Sequence, residues 1–388
     1  LNPLLNLSET QRAIVSTARE FCADEVTPFA AQWDRDAHFD PTLIRKLGDL
    51  GFLGMMIPDA YDGLGLDTVT YLLALEEISA ADASVGVLMS VHNSLPTQMI
   101  LKYGTEGQKV EFLGPLARGE KLGAFALSEP EAGSDASALR TQAVRDGDDW
   151  VLNGTKSWIS AGGHAGVILV MARTDTSDAR RGGKGIGAFI VTPDLSGFKV
   201  GKKENKMGLR ASETVQLVFD NMRVPGERLL GDPSIGFIYA MQSLESGRLG
   251  IAAQALGIAR AAYEHAAAYA AERHQFGKAI GEFQGIQFKL ADMATRIHAA
   301  RSLLHTTAAA KDRGEAITEY AAMCKLFATE TAMWVTTQAI QIFGGYGYTT
   351  DYPVEKLFRD AKVTEIYEGT SEIQRIVIGR AALGERRR

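Results

Sequence analysis

The hydrophobic period of this 388-residue chain changes twice, and the order of those changes limits the folds open to it. From Ser8 to about Gly119, apolar residues recur at helical spacing. Near residue 122 they give way to short segments rich in Val, Ile, Phe and Trp, around 122–127, 139–145, 149–159, 166–173, 186–192 and 214–219. After Pro233 the helical period returns in Ala-rich blocks near 236–271, 282–313 and 316–342. Strands never alternate with helices, which rules out a doubly wound nucleotide fold. The expected class is multidomain α+β. It comprises an N-terminal α-helical domain (1–121), a middle antiparallel β-barrel or sandwich (122–232) and a C-terminal four-helix bundle (233–388).

Local signals sharpen this outline. Ser8-x-x-Gln11 reads as a capping box opening a helix to about Trp33, and Asp40-Pro41 opens another that ends near Gly48 to Gly51. Further helices are expected near 69–81, 85–101 and 106–117, and Ser371-x-x-Gln374 is a second capping box. Asp146-Gly147-Asp148 and Asn153-Gly154 read as turns between strands. Composition removes several functions. With 41 Lys plus Arg against 47 Asp plus Glu, the net charge is −6, a poor match to a polyanion, and Arg386-Arg387-Arg388 is too short to change that. The two cysteines, Cys22 and Cys324, form neither a disulfide framework nor a metal knuckle and suit a reducing compartment. The seven histidines include no metal-binding pair, no run is apolar enough for membrane insertion, and Leu1-Asn2-Pro3-Leu4 is no signal peptide.

Several segments could carry chemistry. Gly182 to Gly187 lacks the ending of a phosphate loop and reads as a solvated connection between strands. Phe343-Gly344-Gly345-Tyr346-Gly347-Tyr348 is either a helix C-cap and turn or a place where backbone approaches a flat ligand. Two segments combine hydroxyls, amides and an aromatic wall, as a flat heterocycle with edge acceptors requires: Phe125 to Asp135, and Asn153 to Gly163 around Trp158. Glu368 lies between Tyr367 and Gly369 just before a helix start. It is either a carboxylate stabilising that helix N-terminus or a general base raised in pKa by an apolar cleft.

Taken in order, these segments resemble the acyl-CoA dehydrogenase family over essentially the whole chain. The motifs are Phe125 to Asp135, Gly154 to Ser160, Arg273-His274-Gln275-Phe276-Gly277, Gln341 to Gly347 and Ile366-Tyr367-Glu368-Gly369-Thr370. Leu75 to Ser79, Arg359-Asp360-Ala361-Lys362 and Thr370 to Arg375 look like the short-chain, butyryl-CoA branch. The resemblance implies FAD between the middle domain and the bundle. Phe125, Leu127, Ser128, Ser134, Trp158, Ile159 and Ser160 would be on the flavin side, with Ser128 serving the pyrimidine edge and Ser160 the N5 region. Many relatives carry Thr at position 160, so here the hydroxyl is kept and one methyl lost. Arg273, Phe276, Gln284, Gln341, Ile342, Gly344, Gly345, Thr370 and Glu372 match FAD positions, several reaching the cofactor of a neighbouring subunit. That makes a dimer the minimum unit and a homotetramer, a dimer of dimers, the expected assembly.

On the same resemblance Glu368 is the base and flavin N5 takes the β hydride. The Glu368 backbone N–H and a ribityl hydroxyl would hydrogen-bond the thioester oxygen, Tyr367 and Gly369 would line the reacting face, and Ser134, Glu245 and Arg248 would contact the CoA portion. Some branches carry the base immediately before the bundle arginine, and Gly247 occupies that place here. Glu245 lies two residues earlier and points to a different helix face. The implied activity is dehydrogenation of a short-chain acyl-CoA to the trans-2-enoyl-CoA, with electrons passed to an electron-transferring flavoprotein. A bacterial cytoplasm, or a mitochondrial matrix for a processed chain, is the implied compartment. Short branched substrates, a silent scaffold and an oxygen-using oxidase remain open, while an Asp-based nitroalkane oxidase fits Glu368 poorly. Met89, Val91, Leu95 and Met241 are candidates for setting chain length or plain core.

Overall fold

The computed structural model describes residues 6–175 and 182–384. The terminal arginines 386–388 lie outside the described residues. The chain opens with α1 (Glu9–Glu25), capped as expected: Ser8 Oγ accepts from the Gln11 N–H at 3.1 Å and Gln11 Oε1 from the Ser8 N–H at 3.0 Å. The single helix expected to Trp33 is two, because Pro28 has no N–H for a helical hydrogen bond, and α2 (Ala30–Asp36) restarts beyond it. Next come α3 (Thr42–Asp49) and α4 (Thr68–Ala81). The helix expected at 85–101 is also two, α5 (Ala83–Ser94) and α6 (Pro96–Tyr103), since Pro96 fits a first helical turn but not an interior. The last N-terminal helix, α7 (Glu106–Ala117), starts at a Thr105–Gln108 capping box.

Among the described residues eight strands follow: β1 (Leu122–Ala126), β2 (Gln142–Asp146), β3 (Asp149–Ser160), β4 (Ala165–Arg173), β5 (Ile186–Val191), β6 (Phe198–Lys203), β7 (Thr214–Val224) and β8 (Leu229–Leu230). Their order is β6-β7-β3-β2-β4-β5-β8, with β1 on β4. The sheet departs from a wholly antiparallel one at β4, along which β1 runs parallel and to which β2 adds one parallel pair. The β2–β3 hairpin lies between β1 and β4 in sequence, a connection long enough for that crossover. Gly147-Asp148 turns this hairpin, but Asn153-Gly154 makes no turn. It lies inside β3 at a register shift, where a Cβ on Gly154 would come within 2.5 Å of Thr141 Oγ1. Lys199, Lys202 and Lys203 make β6 a polar edge, which hides its period in sequence.

The chain then returns to helix. The 37-residue α8 (Gly236–Glu272) leads to a small hairpin, β9 (His274–Gln275) and β10 (Lys278–Ala279), and then to α9 (Gln284–Asp312) and α10 (Thr318–Phe343). The sequence reading did not foresee α11 (Val354–Thr364), which packs with α8 and α10 as the fourth member, while α12 (Ser371–Ala382) lies on α10. The cap of α12 is shifted by one residue from the expected box. Thr370 Oγ1 accepts from the Ile373 N–H at 3.3 Å, and Gln374 is buried.

α11 joins all three layers through buried charge. Lys356 Nζ lies 2.9 Å from Asp82 Oδ2 at the start of α5 and 2.7 Å from Asp360 Oδ2, and Asp360 Oδ1 accepts from the Leu209 N–H at 2.6 Å in the loop before β7. One turn round, Arg359 donates to Asp34 of α2, to Glu355 and to the Met207 carbonyl. The two aspartates hold the Lys356 ammonium far above its ordinary range despite burial. Lys356→Met would leave both carboxylates buried and facing each other. It is expected to cost about 3–5 kcal/mol of stability in a denaturant titration, whereas Lys362→Met, on an exposed position of the same helix, should change little.

Candidate active site

The turn after α11 presents Glu368 to the interior. Glu368 and Gly369 both adopt left-handed backbone, with φ of +51° and +93°. For a glutamate that conformation is unfavourable and must be imposed by its surroundings. Gln374 supplies part of the restraint, its Nε2 donating to the Gly369 carbonyl at 2.8 Å and to the Glu368 carbonyl at 3.3 Å. Lys325 of α10 supplies the rest, with Nζ donating to the same Gly369 carbonyl at 2.7 Å.

The residue as a whole is half-buried, but both carboxylate oxygens are shut off from solvent and, among the described residues, have no hydrogen-bond partner. They sit over α8 where it has no side chain: a Cβ on Gly247 would fall 2.0 Å from Glu368 Oε2. Burial pushes the Glu368 carboxyl up to about 7, and the positive charges of Lys325 and Arg248 restrain the rise. This is the environment of a proton acceptor at neutral pH, not of a solvated helix cap. Arg248 is buried on α8, whereas Glu245 turns to α10, accepting from Thr318 Oγ1 at 2.5 Å. The expected difference in helix face between 245 and 247 therefore holds. Tyr367 donates from its hydroxyl to Gln254 Oε1, and Gln254 Nε2 in turn donates to the Ala83 carbonyl at 2.8 Å.

A second group lies where β1 and β3 end. Leu127 and Met99 belong to one apolar cluster, against which Phe125, Met241 and Leu244 pack. The Ser157 N–H donates to the Ser128 carbonyl at 2.9 Å, joining the loop after β1 to β3. A buried ion pair underlies this junction. Lys156 Nζ lies 2.7 Å from Glu129 Oε1 and 3.0 Å from the Leu127 carbonyl, while Glu129 also accepts from the N–H groups of Arg140 and Thr141. A register shift between Lys156 and Ile159 gives Trp158 a φ of +64° and turns its indole outward, 61% exposed. Ile159 remains core, while Ser128 and Ser160 are half-buried at the rim and Ser134 is exposed on the loop. An indole face beside serine hydroxyls and backbone amides fits a flat heterocycle, so this donor set can hold a flavin.

The third group is remote. Arg273 follows the end of α8, twenty-six residues after Gly247, or about 39 Å along the helix at about 1.5 Å per residue. Its guanidinium lies 5.4 Å from the Tyr346 ring centroid beside Gly344 and Gly345, where an added Cβ would meet nothing. Gly344 has a φ of +62°, closing α10 and opening a short 3-10 turn. Both Phe276 and Gly277 have positive φ at the tip of the β9–β10 hairpin, leaving Phe276 93% exposed. Gln284 and Gln341 are exposed near it, and Ile342 is buried. Thr370 is half-buried at its cap and Glu372 exposed in the first turn of α12. The structure thus brings Glu368, Tyr367, Gly369 and Arg248 together, places the Ser128–Trp158 group at the β-strand ends, and sets the Arg273 group apart at the far end of α8. Gly182 to Gly185 lie in the connection from β4 to β5, as expected, whereas Ile186 and Gly187 already belong to β5.

Lys325, Glu129 and Lys156 carry no role expected from sequence, and Gln374 is expected only as part of a capping box. Lys325 had a legible signal: Ala321, Lys325, Ala328 and Ala332 form the buried stripe of α10, and a lone charge there is abnormal.

The acyl-CoA dehydrogenase N-terminal, middle and C-terminal domain families match residues 8–120, 124–222 and 235–383. The mitochondrial short-chain specific acyl-CoA dehydrogenase of Rattus norvegicus is 50% identical over 374 residues, 96% of this chain and 90% of that protein. Butyryl-CoA dehydrogenase from Megasphaera elsdenii superposes with a TM-score of 0.95 at 45% identity, over 98% of this chain and 99% of the other. A glutaryl-CoA dehydrogenase from Mycobacterium smegmatis, solved in complex with FADH2, gives 0.92 at 35% identity over 97% and 95%.

Gly247→Ala tests the placement of the carboxylate. The new methyl must displace Glu368, so proton-abstracting activity should fall by at least about two orders of magnitude while the circular dichroism spectrum stays that of the folded protein.

Proposed function

The chain belongs to the acyl-CoA dehydrogenase family of oxidoreductases, and from that premise we propose that it converts a short-chain acyl-CoA to the trans-2-enoyl-CoA, with Glu368 as the base. The observation carrying this reading is the Glu368 carboxylate itself: buried, without a hydrogen bond, seated on bare Gly247, and raised to about 7. Such a group is ionised often enough to act and binds a proton strongly enough to remove one from a weak carbon acid.

The steps assigned to this chain are binding, orientation and proton transfer. Ser128, Trp158 and Ser160 hold the cofactor against Phe125 and Leu127, with Ile159, Thr370 and Glu372 around it. Bound FAD supplies the acceptor for the hydride leaving the β carbon. Glu368 takes the α proton at a carboxylate oxygen already freed of water, its N–H directed to the thioester oxygen. Ser134, Glu245 and Arg248 serve the CoA portion, and Tyr367 and Gly369 face the reacting carbons. The short-chain preference is supported by the space beyond Gly247. Gly250 packs on Ser90 Oγ and the Tyr71 hydroxyl, Tyr367 and Gln254 are tied across the cleft, and Met89 is fully buried. The close approach of Gly250 to Ser90 favours a short acyl group, straight or branched.

The Arg273 group supports a shared cofactor. At about 39 Å from Gly247 along α8, Arg273, Phe276, Gln284, Gln341, Gly344 and Gly345 suit FAD bound mainly by a neighbouring subunit, in a homotetramer. An electron-transferring flavoprotein is the proposed acceptor and a bacterial cytoplasm the proposed compartment, with domains divided as 1–121, 122–232 and 233–388. Among the described residues no helix is long and apolar enough to cross a membrane.

Anaerobic mixing of the flavin-loaded protein with acyl-CoAs of increasing length tests the whole reading. Butyryl-CoA should bleach the flavin fastest, and a yellow protein that no thioester bleaches would overturn the substrate class. Glu368→Gln should keep its flavin and reduce it about a thousandfold more slowly. The same variant carries a sign check on stability. Because the folded carboxyl lies near 7, above its ordinary 4.5, the folded state binds the extra proton between those values and wild-type stability falls as pH rises. Glu368→Gln should therefore be the more stable protein, by about 3 kcal/mol above neutrality, with the difference vanishing in acid. Arg273→Ala should lower flavin content and oligomer size together, as read by absorbance and sedimentation.

A further inference from the structure

We propose that Lys325 is the positioning residue of the proton-abstracting centre: its ammonium holds the turn that presents Glu368 and provides that carboxylate with its counter-charge. The inference rests on Glu368 being the base, as proposed above.

Lys325 has none of its side chain exposed and lies on the otherwise Ala-lined inner stripe of α10. Its ammonium donates to the Gly369 carbonyl at 2.7 Å, and among the described residues no carboxylate lies within ion-pair distance of it. A buried ammonium in that state is costly unless a nearby charge offsets it. That hydrogen bond holds the turn but does not by itself call for a lysine, because the neutral Gln374 Nε2 donates to the same carbonyl at 2.8 Å. What a lysine adds is charge.

The groups facing it identify the recipient. Glu368 acts on Lys325 more strongly than any other charge, followed by Arg248 of α8, which opposes it, then Glu365 before the turn and Glu372 of α12. The remaining ionisable neighbours of Glu368 are the phenols of Tyr71 on α4 and Tyr367, both raised by burial and so neutral. Lys325 and Arg248 are thus the positive charges set against the desolvation of Glu368. Burial in turn lowers Lys325 to about 8. The competent state is then the one with Glu368 ionised and Lys325 protonated. Flavin reduction should rise with pH through about 7 and fall again through about 8, both limbs belonging to the pair.

The test follows flavin bleaching by butyryl-CoA from about pH 5.5 to 10 in the flavin-loaded wild type, Lys325→Gln, Lys325→Arg and Glu368→Gln. It is accompanied by a 13C-glutamate NMR titration in which the Glu368 signal is the one missing from Glu368→Gln. Lys325→Gln keeps a donor without the charge. Its acid limb and its Glu368 titration should both move up by about one unit or more, with roughly tenfold slower bleaching at neutral pH and no alkaline fall. Lys325→Arg should keep the acid limb and lose the alkaline one. A folded, flavin-loaded Lys325→Gln with wild-type limbs and an unmoved Glu368 titration would overturn the proposal. Should that variant fail to load flavin, an alkaline limb unchanged in Lys325→Arg overturns it. Fast bleaching by Glu368→Gln would remove the base, and this proposal with it.

Discussion

The buried charges of α11 are the constraint on which the active geometry depends. Lys356 and Asp360 join that helix to Asp82 in the N-terminal layer and to the Leu209 amide in the loop before β7, and Arg359 repeats the connection through Asp34 and Met207. Buried ionic groups contribute little net stability when every partner is present, and they strongly penalise arrangements in which one is missing. Here that penalty disfavours any relative placement of the three layers that would separate these groups. The turn carrying Glu368 begins at the end of this helix, so the position of that carboxylate relative to α8 depends on the same ion pairs.

Within the turn, two opposed effects hold Glu368 near neutrality. Removing its oxygens from water favours the protonated form, and two buried cations favour the ionised one. Neither alone would serve. Desolvation without Lys325 and Arg248 would push the carboxyl higher still, and a direct ion pair would pull it down toward the ordinary carboxylate range. The left-handed backbone at Glu368 belongs to the same compromise, since its strain is borne by the hydrogen bonds from Gln374 and Lys325 to the two carbonyls.

The β layer uses a comparable device for a different end. Lys156 and Glu129 are sealed beneath the surface that carries Ser128 and Trp158, and they tie the loop after β1 to a kinked β3. The kink turns a large aromatic outward, at the cost of exposed apolar area that a flat ligand would cover. The Glu368 turn and the Ser128–Trp158 surface, to which the proton-accepting and flavin-holding roles are proposed, therefore each have a buried ion pair or triad behind them.

Much of this was legible in the order of residues. Hydrophobic period and capping chemistry are local, so α7 at Glu106–Ala117 and the Ser8 capping box read directly, and the motif around Glu368 helped to point to the family. Where local chemistry misled, a neighbour in space had overruled it: Asn153-Gly154 was absorbed into β3 by its partners, and Gln374 left the expected cap for the carbonyls of 368 and 369. The pairing of Lys325 with the Gly369 carbonyl spans 44 residues, and the fit of a carboxylate on Gly247 depends on the path of α8 past the turn after α11. By itself the sequence determined the elements, their α, β, α order and the kinds of side chain available. Only the tertiary structure decided which charges share a desolvated space, because ionisation depends on distance and on exclusion of water, and neither exists until the layers have packed.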